Sequence, residues 1–265
     1  MIPPVVDQGW LSAHPDAVIA DVRHYLDGRS GADAYAAGHI PGAVFVPMDD
    51  VLADPPSKAR GRHPLPDHDT FAEGLAHLGI GDTDTVVAYD DAGGAMAGRL
   101  VWLLRILGRD AALLDGGLQT WEGELTTEVT RRPRAEFAPT SWPDAALADI
   151  EDAATGELVI DARGAERFRG ESEPIDPKAG HVPGARSYPM TGNLTEDGRF
   201  RTPEELRERF AAVDDAAQVI SYCGSGITAC HNLIALEYAG LGRGRLYSGS
   251  WSQYSHTSRP VATGE

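Results

Sequence analysis

Short apolar runs alternate with longer amphipathic stretches along the whole chain. Runs at residues 18–21, 44–46, 86–89 and 111–114 predict strands, and helical spacing of apolar positions near 70–78 and 98–107 predicts the helices between them. The order then recurs. Strands are predicted at 158–161, 187–188, 219–222 and 245–247, with helices near 203–210 and 228–239. Thr202-Pro203-Glu204-Glu205 supplies a cap, a first-turn proline and two acids matched to the positive end of a helix. Strand–helix alternation predicts an α/β chain whose open, mostly parallel sheets are flanked by helices and bind ligands beyond the carboxyl ends of the strands.

The recurrence extends to side chains. Val18-Ile19-Ala20-Asp21-Val22-Arg23 is matched by Leu158-Val159-Ile160-Asp161-Ala162-Arg163, and Gly38-His39-Ile40-Pro41-Gly42-Ala43 by Gly180-His181-Val182-Pro183-Gly184-Ala185. Val86-Val87-Ala88-Tyr89-Asp90 is matched by Val219-Ile220-Ser221-Tyr222-Cys223, and Gly116-Gly117-Leu118 by Gly249-Ser250-Trp251. Four landmarks in one order make the chain two copies of one domain. The expected division is residues 1–125, a surface linker over 126–143 rich in arginine and proline, and residues 144–265. Residues 54–64 and 170–177 are expected to be loops. Each Asp-x-Arg pair is expected to form an ion pair at a strand end.

Composition narrows the partners. The chain has 265 residues and a net charge of −17, which argues against nucleic acid and against an anionic membrane surface. No apolar stretch is long enough to span a bilayer, the first residues lack a signal-peptide pattern, and two cysteines suit a reducing, cytoplasmic setting. Lys58 and Lys178 are the only lysines, so a cluster that draws in a small anion must be built of arginine. Scattered histidines show no metal-ligand spacing; no metal and no cofactor are expected.

The most telling stretch is Tyr222-Cys223-Gly224-Ser225-Gly226-Ile227-Thr228-Ala229. It sets a thiol on a tight turn between a buried strand and a helix. Gly224 and Gly226 allow several main-chain N–H groups to converge on one point. Those amides and the helix end surround the sulfur with partial positive charge, the setting of a nucleophile that also carries a bound anion. A free cysteine is more often a small buried hydrophobe, and Cys230, inside the helix, is expected to be one.

The paired Asp-x-Arg and Gly-His-x-Pro-Gly-Ala segments, with the Cys223 loop, resemble the rhodanese superfamily, specifically its tandem-domain sulfurtransferases. The resemblance implies two rhodanese-like domains. The N-terminal one is silent because Asp90 stands where the C-terminal one carries Cys223. It also implies that a cysteine persulfide moves sulfur from a small anionic donor to a thiol acceptor such as thioredoxin, or to cyanide. The loop Cys223-Gly224-Ser225-Gly226 resembles the 3-mercaptopyruvate branch, because the thiosulfate branch places Arg and Lys directly after the cysteine. Carried over residue by residue, Cys223, Ser225 and His39 are the catalytic group. Arg167, Gly224, Gly226, Ile227, Thr228 and Trp251 bind substrate, with Trp251 walling the pocket. A second substrate arginine of that branch falls near Asp176 here, with only Lys178 beside it, which keeps a thiosulfate-preferring enzyme as the alternative. A cysteine phosphatase would need arginine six residues after the cysteine, where Ala229 stands. A non-catalytic binding module would have no use for the intact loop.

Overall fold

Each half of the computed structural model, which describes residues 1–213 and 215–265, is built on a five-stranded sheet whose paired strands all run parallel. In the first half the elements are β1 (Val5–Val6), α1 (Gln8–Ala13), β2 (Val18–Asp21), α2 (Gly31–Ala37), β3 (Val44–Phe45), α3 (His68–His77), β4 (Val86–Tyr89), α4 (Ala97–Ile106) and β5 (Ala111–Leu114). In the second they are β6 (Leu147–Ala148), α5 (Ile150–Thr155), β7 (Leu158–Asp161), α6 (Ala165–Phe168), β8 (Arg186–Ser187), α7 (Pro203–Arg209), β9 (Val219–Tyr222), α8 (Thr228–Tyr238), β10 (Arg245–Tyr247) and α9 (Ser250–Tyr254). The sheet orders are β1-β5-β4-β2-β3 and β6-β10-β9-β7-β8.

The central strands β4 and β9 are buried along their full length, as a parallel strand covered on both faces must be. Tyr89, Val87, Ala112 and Ile40 pack in one core; Tyr222, Val159, Trp251 and Tyr254 pack in the other. Helix α8 is buried from Ala229 to Leu236, so its apolar residues surround it instead of forming a stripe. Helix α7 starts at the expected cap: Thr202 accepts from the Glu205 amide, and the Glu205 side chain returns the bond.

The doubled landmarks build the same network twice. Arg23 grips Asp21 and the Gly38 carbonyl, while Arg163 grips Asp161 and the Gly180 carbonyl. The Tyr89 hydroxyl donates to Asp21 and accepts from the Ile40 amide; the Tyr222 hydroxyl accepts from the Val182 amide. These buried ion pairs tie the end of the second strand in each sheet to the Gly-His loop.

Two expectations change. The edge strands β1 and β6 are two residues each, too short to show a period. The segment expected as a surface linker belongs to the first compact unit, which comprises Met1–Asp54, Pro66–Trp142 and Thr195–Phe200. Its Ala135 amide donates to Ala76, Phe137 is buried, and Trp142 packs edge-on against Phe71. The second unit comprises Pro55–Leu65, Pro143–Leu194 and Arg201–Glu265. The loop after Asp54, encoded in the first half, is therefore part of the unit that carries Cys223.

Candidate active site

Cys223 follows the last residue of β9, at the carboxyl end of the middle strand of its sheet. The flanking strands deliver their own carboxyl ends beside it: β10 leads to Gly249-Ser250-Trp251, and β7 to Arg163 and α6. Three bonds donated by main-chain amides fix the turn. The Cys223 amide donates to Ser250 Oγ (3.1 Å), the Trp251 amide to the Cys223 carbonyl (3.0 Å), and the Ser252 amide to the Gly224 carbonyl (2.8 Å). The Gly226 amide points back at the sulfur, with N to Sγ at 3.1 Å.

Gly226 has φ +82°, and a Cβ there would lie 2.4 Å from the Ser248 carbonyl oxygen, so this position requires glycine twice over. Ser250 is held at φ +51°, the only non-glycine residue with positive φ among those described. Its hydroxyl accepts from Cys223 and donates to the Tyr247 carbonyl (2.9 Å), so the strain stays local to the cysteine turn. Ile227 is buried as the N-cap of α8, and Thr228 opens that helix. Cys230 is fully buried and directs its thiol to the Gly226 carbonyl.

Cys223 is 2% exposed, yet its loop faces charge. A methyl group at Gly224 would stand 3.4 Å from Arg62 Nη2 and 3.5 Å from Arg167 Nη1. Arg167 Nε and Nη2 bind Glu173, at 3.2 and 2.6 Å, and Nη2 reaches Asp176 at 3.5 Å. Arg62 Nη1 donates to the other oxygen of Asp176 at 2.9 Å. Burial works to raise the Glu173 carboxyl, but the Arg167 guanidinium and the amides of Asp176 and Ile175 outweigh it and hold it below its ordinary value.

The segment Pro55–Leu65 is fastened to this site at several points. The Arg62 amide donates to Ser252 Oγ (2.9 Å), Gln253 Nε2 donates to the Ala59 carbonyl (2.6 Å), and His63 Nδ1 is hydrogen-bonded to Ser225 Oγ at 2.8 Å. Gly61, at φ +91°, approaches so closely that a Cβ would meet the Gly249 carbonyl oxygen at 2.6 Å.

Of the residues singled out in the sequence, Ser225, Gly224, Gly226 and Arg167 gather at Cys223. Two are placed otherwise. His39 stacks on Tyr35 (3.7 Å between ring centres), and its ring nitrogens face the carbonyls of Tyr35 and Glu128 in the first unit. It is the counterpart of His181, which stacks on Phe168 and bonds its carbonyl in the same way. The histidine on Ser225 is His63. Trp251 is fully buried in the core; its indole donates to the Lys178 carbonyl and lies under the Arg163 guanidinium, while its main-chain amide donates to the Cys223 carbonyl. Arg62, His63 and Asp176 were missed. The signal for Arg62 and His63 lay in Arg60-Gly61-Arg62-His63, a basic cluster in an acidic chain.

The rhodanese-like domain family matches residues 8–124 and again 143–257. The chain belongs to that family. This tandem rhodanese-like protein is 46% identical over 273 residues to "Probable 3-mercaptopyruvate sulfurtransferase" of Pseudomonas aeruginosa, covering 96% of this chain and 94% of the relative. It is also similar to the solved 3-mercaptopyruvate sulfurtransferase of Leishmania major, with a TM-score of 0.86 and 33% identity over 97% of this chain and 75% of that one. The thiosulfate sulfurtransferase of Bos taurus is 31% identical over 93% of this chain and 87% of its own length. The rhodanese-like chain is an enzyme of the sulfurtransferase class. None of its described helices is long and apolar enough to cross a membrane.

Proposed function

We propose that this sulfurtransferase takes sulfur from 3-mercaptopyruvate onto Cys223 and passes it to a thiol. Cys223 as thiolate attacks the donor's sulfur, forming an S–S bond while the donor's C–S bond breaks. The C–S electron pair stays on carbon as the enolate of pyruvate, which then takes up one proton. Ser225, hydrogen-bonded to His63, is the acid–base pair nearest the loop and the source of that proton. An acceptor thiolate, such as that of a thioredoxin, or cyanide then attacks the outer sulfur and returns Cys223 as thiolate.

The observation that carries this reading is the Gly226 amide on Sγ, in a loop whose Gly224 faces the guanidinium groups of Arg62 and Arg167. An amide directed at the sulfur suits an anionic intermediate, and the arginines suit an anionic donor. Incubation with 3-mercaptopyruvate is expected to add the mass of one sulfur atom to the intact protein, and none to Cys223→Ser. Sulfur transfer by Cys223→Ser at the normal rate would overturn the reading. Thiosulfate is the second donor to compare, because a relative bearing that name aligns over nearly the whole chain. The ratio of kcat/KM for the two donors decides between them.

A further inference from the structure

Arg62 holds more donors than its visible partners use. Its Nε is buried with no hydrogen-bond partner among the described residues, Nη1 is tied to Asp176, and Nη2 faces Gly224. Arg167 has the complementary arrangement, with Nη2 on Glu173 and Asp176 and Nη1 facing the same glycine. Two guanidinium groups this close repel one another unless an anion lies between them. Asp176 is that anion: Oδ1 takes Arg62, Oδ2 faces Arg167, and its side chain is only 2% exposed.

On the reading given above, we propose that Arg62 and Arg167 form a paired seat for the carboxylate of an α-keto-acid sulfur donor, and that Asp176 is the positioning residue that holds the pair open toward Gly224. The loop that carries Asp176, residues 170–178, contains no arginine. Lys178 does not replace one, because its ammonium donates to the Thr257 carbonyl. The second guanidinium comes instead from Pro55–Leu65. Glu173 and Asp176 already offset the charge of the two arginines, so the seat offers directed N–H groups more than net positive charge. A planar monoanion matches those forks, whereas a tetrahedral dianion such as thiosulfate gains less from them and meets the two acids. Gly224 keeps the seat clear, since any side chain there would project between the two guanidinium groups.

The test uses the full chain and compares steady-state kinetics with 3-mercaptopyruvate and with thiosulfate for Arg62→Met, Arg62→Lys and Asp176→Asn, with Arg167→Met as reference. Arg62→Met is expected to lower kcat/KM for 3-mercaptopyruvate by about 10- to 100-fold, mostly through KM, which is the worth of a charged hydrogen-bond pair. The loss with thiosulfate should be several-fold smaller. Arg62→Lys should recover only part of the loss because an ammonium lacks the fork, and Asp176→Asn should raise KM for the keto acid while far-UV circular dichroism stays unchanged. Arg62→Met activity within twofold of wild type, beside a large loss in Arg167→Met, would overturn the paired seat and leave the persulfide reading standing. Equal losses with both donors would reduce Arg62 to a general charge and also overturn it. A wild-type protein that gains no sulfur from either donor overturns the parent reading, and the seat falls with it.

Discussion

The Asp90 loop and the Cys223 loop leave equivalent middle strands and end at equivalent helices, yet they use their amides in opposite ways. Six residues, 91–96, separate Asp90 from α4; four, 224–227, separate Cys223 from α8. The longer loop folds back on its own side chain. Asp90 accepts from the amides of Ala92, Gly94, Met96 and Ala97, all at 2.7–2.8 Å. Full burial pushes its carboxyl up against the pull of those four amides. The shorter loop donates one amide, from Gly226, to the sulfur. One copy fills the turn with a fixed internal carboxylate, and the other carries a thiol in its place. A second contrast follows: Gly117 at φ +55° in the first copy is Ser250 at φ +51° in the second. The strain enters together with a hydroxyl that holds the cysteine amide.

The comparison breaks most severely at Asp90. Asp90→Ala takes the acceptor from four N–H groups, those of Gly94 and Ala97 in buried bonds, and should destabilise the first unit by roughly 2–5 kcal/mol, read from urea unfolding midpoints. A loss below about 1 kcal/mol would show that the carboxylate is dispensable. Gly226→Ala comes next: left-handed strain alone should remove about 1–3 kcal/mol, with the clash against Ser248 added, and persulfide formation should collapse because the amide leaves the sulfur. Ser250 sharpens the second contrast. Ser250→Ala keeps the strained backbone and loses the hydroxyl, whereas Ser250→Gly loses the hydroxyl but relieves the strain. The glycine variant should therefore be the more stable by about 1 kcal/mol, and a reversed order would refute the strain argument.

The smallest effect is a dependence on pH. The Glu173 carboxyl is held below its unfolded value of about 4.3, so its contribution is complete above that pH and is lost as pH falls through the folded value. Wild type should exceed Glu173→Gln in stability at neutral pH, and the gap should close below about pH 4. A gap unchanged down to about pH 3 would detach Glu173 from the arginine pair.

The central strands were legible because each is a short run of apolar residues buried on both faces. Their repetition in two copies is enough to define the α/β architecture. Cys223, Ser225 and the glycines were legible as a turn whose chemistry is local. Residues brought in from elsewhere in the chain were not. His39 drew attention because Gly-His-x-Pro-Gly-Ala occurs twice, but repetition marks what both copies need, namely a histidine that stacks and bonds carbonyls. His63 and Arg62 lie in a stretch without periodicity, and nothing in the spacing tells that it folds with the other half of the chain. Trp251 misled for a related reason, since Gly-Ser-Trp contacts the cysteine through its main chain while its indole faces the core.

The fastening of Pro55–Leu65 has a bearing on how the chain divides. A chain severed at residue 143 would yield a C-terminal fragment still bearing its sulfur, but stripped of Arg62 and of the histidine on Ser225. The half that carries Asp90 in place of a cysteine thus still encodes, in a single strap, the arginine and the histidine that lie at its sibling's thiol loop.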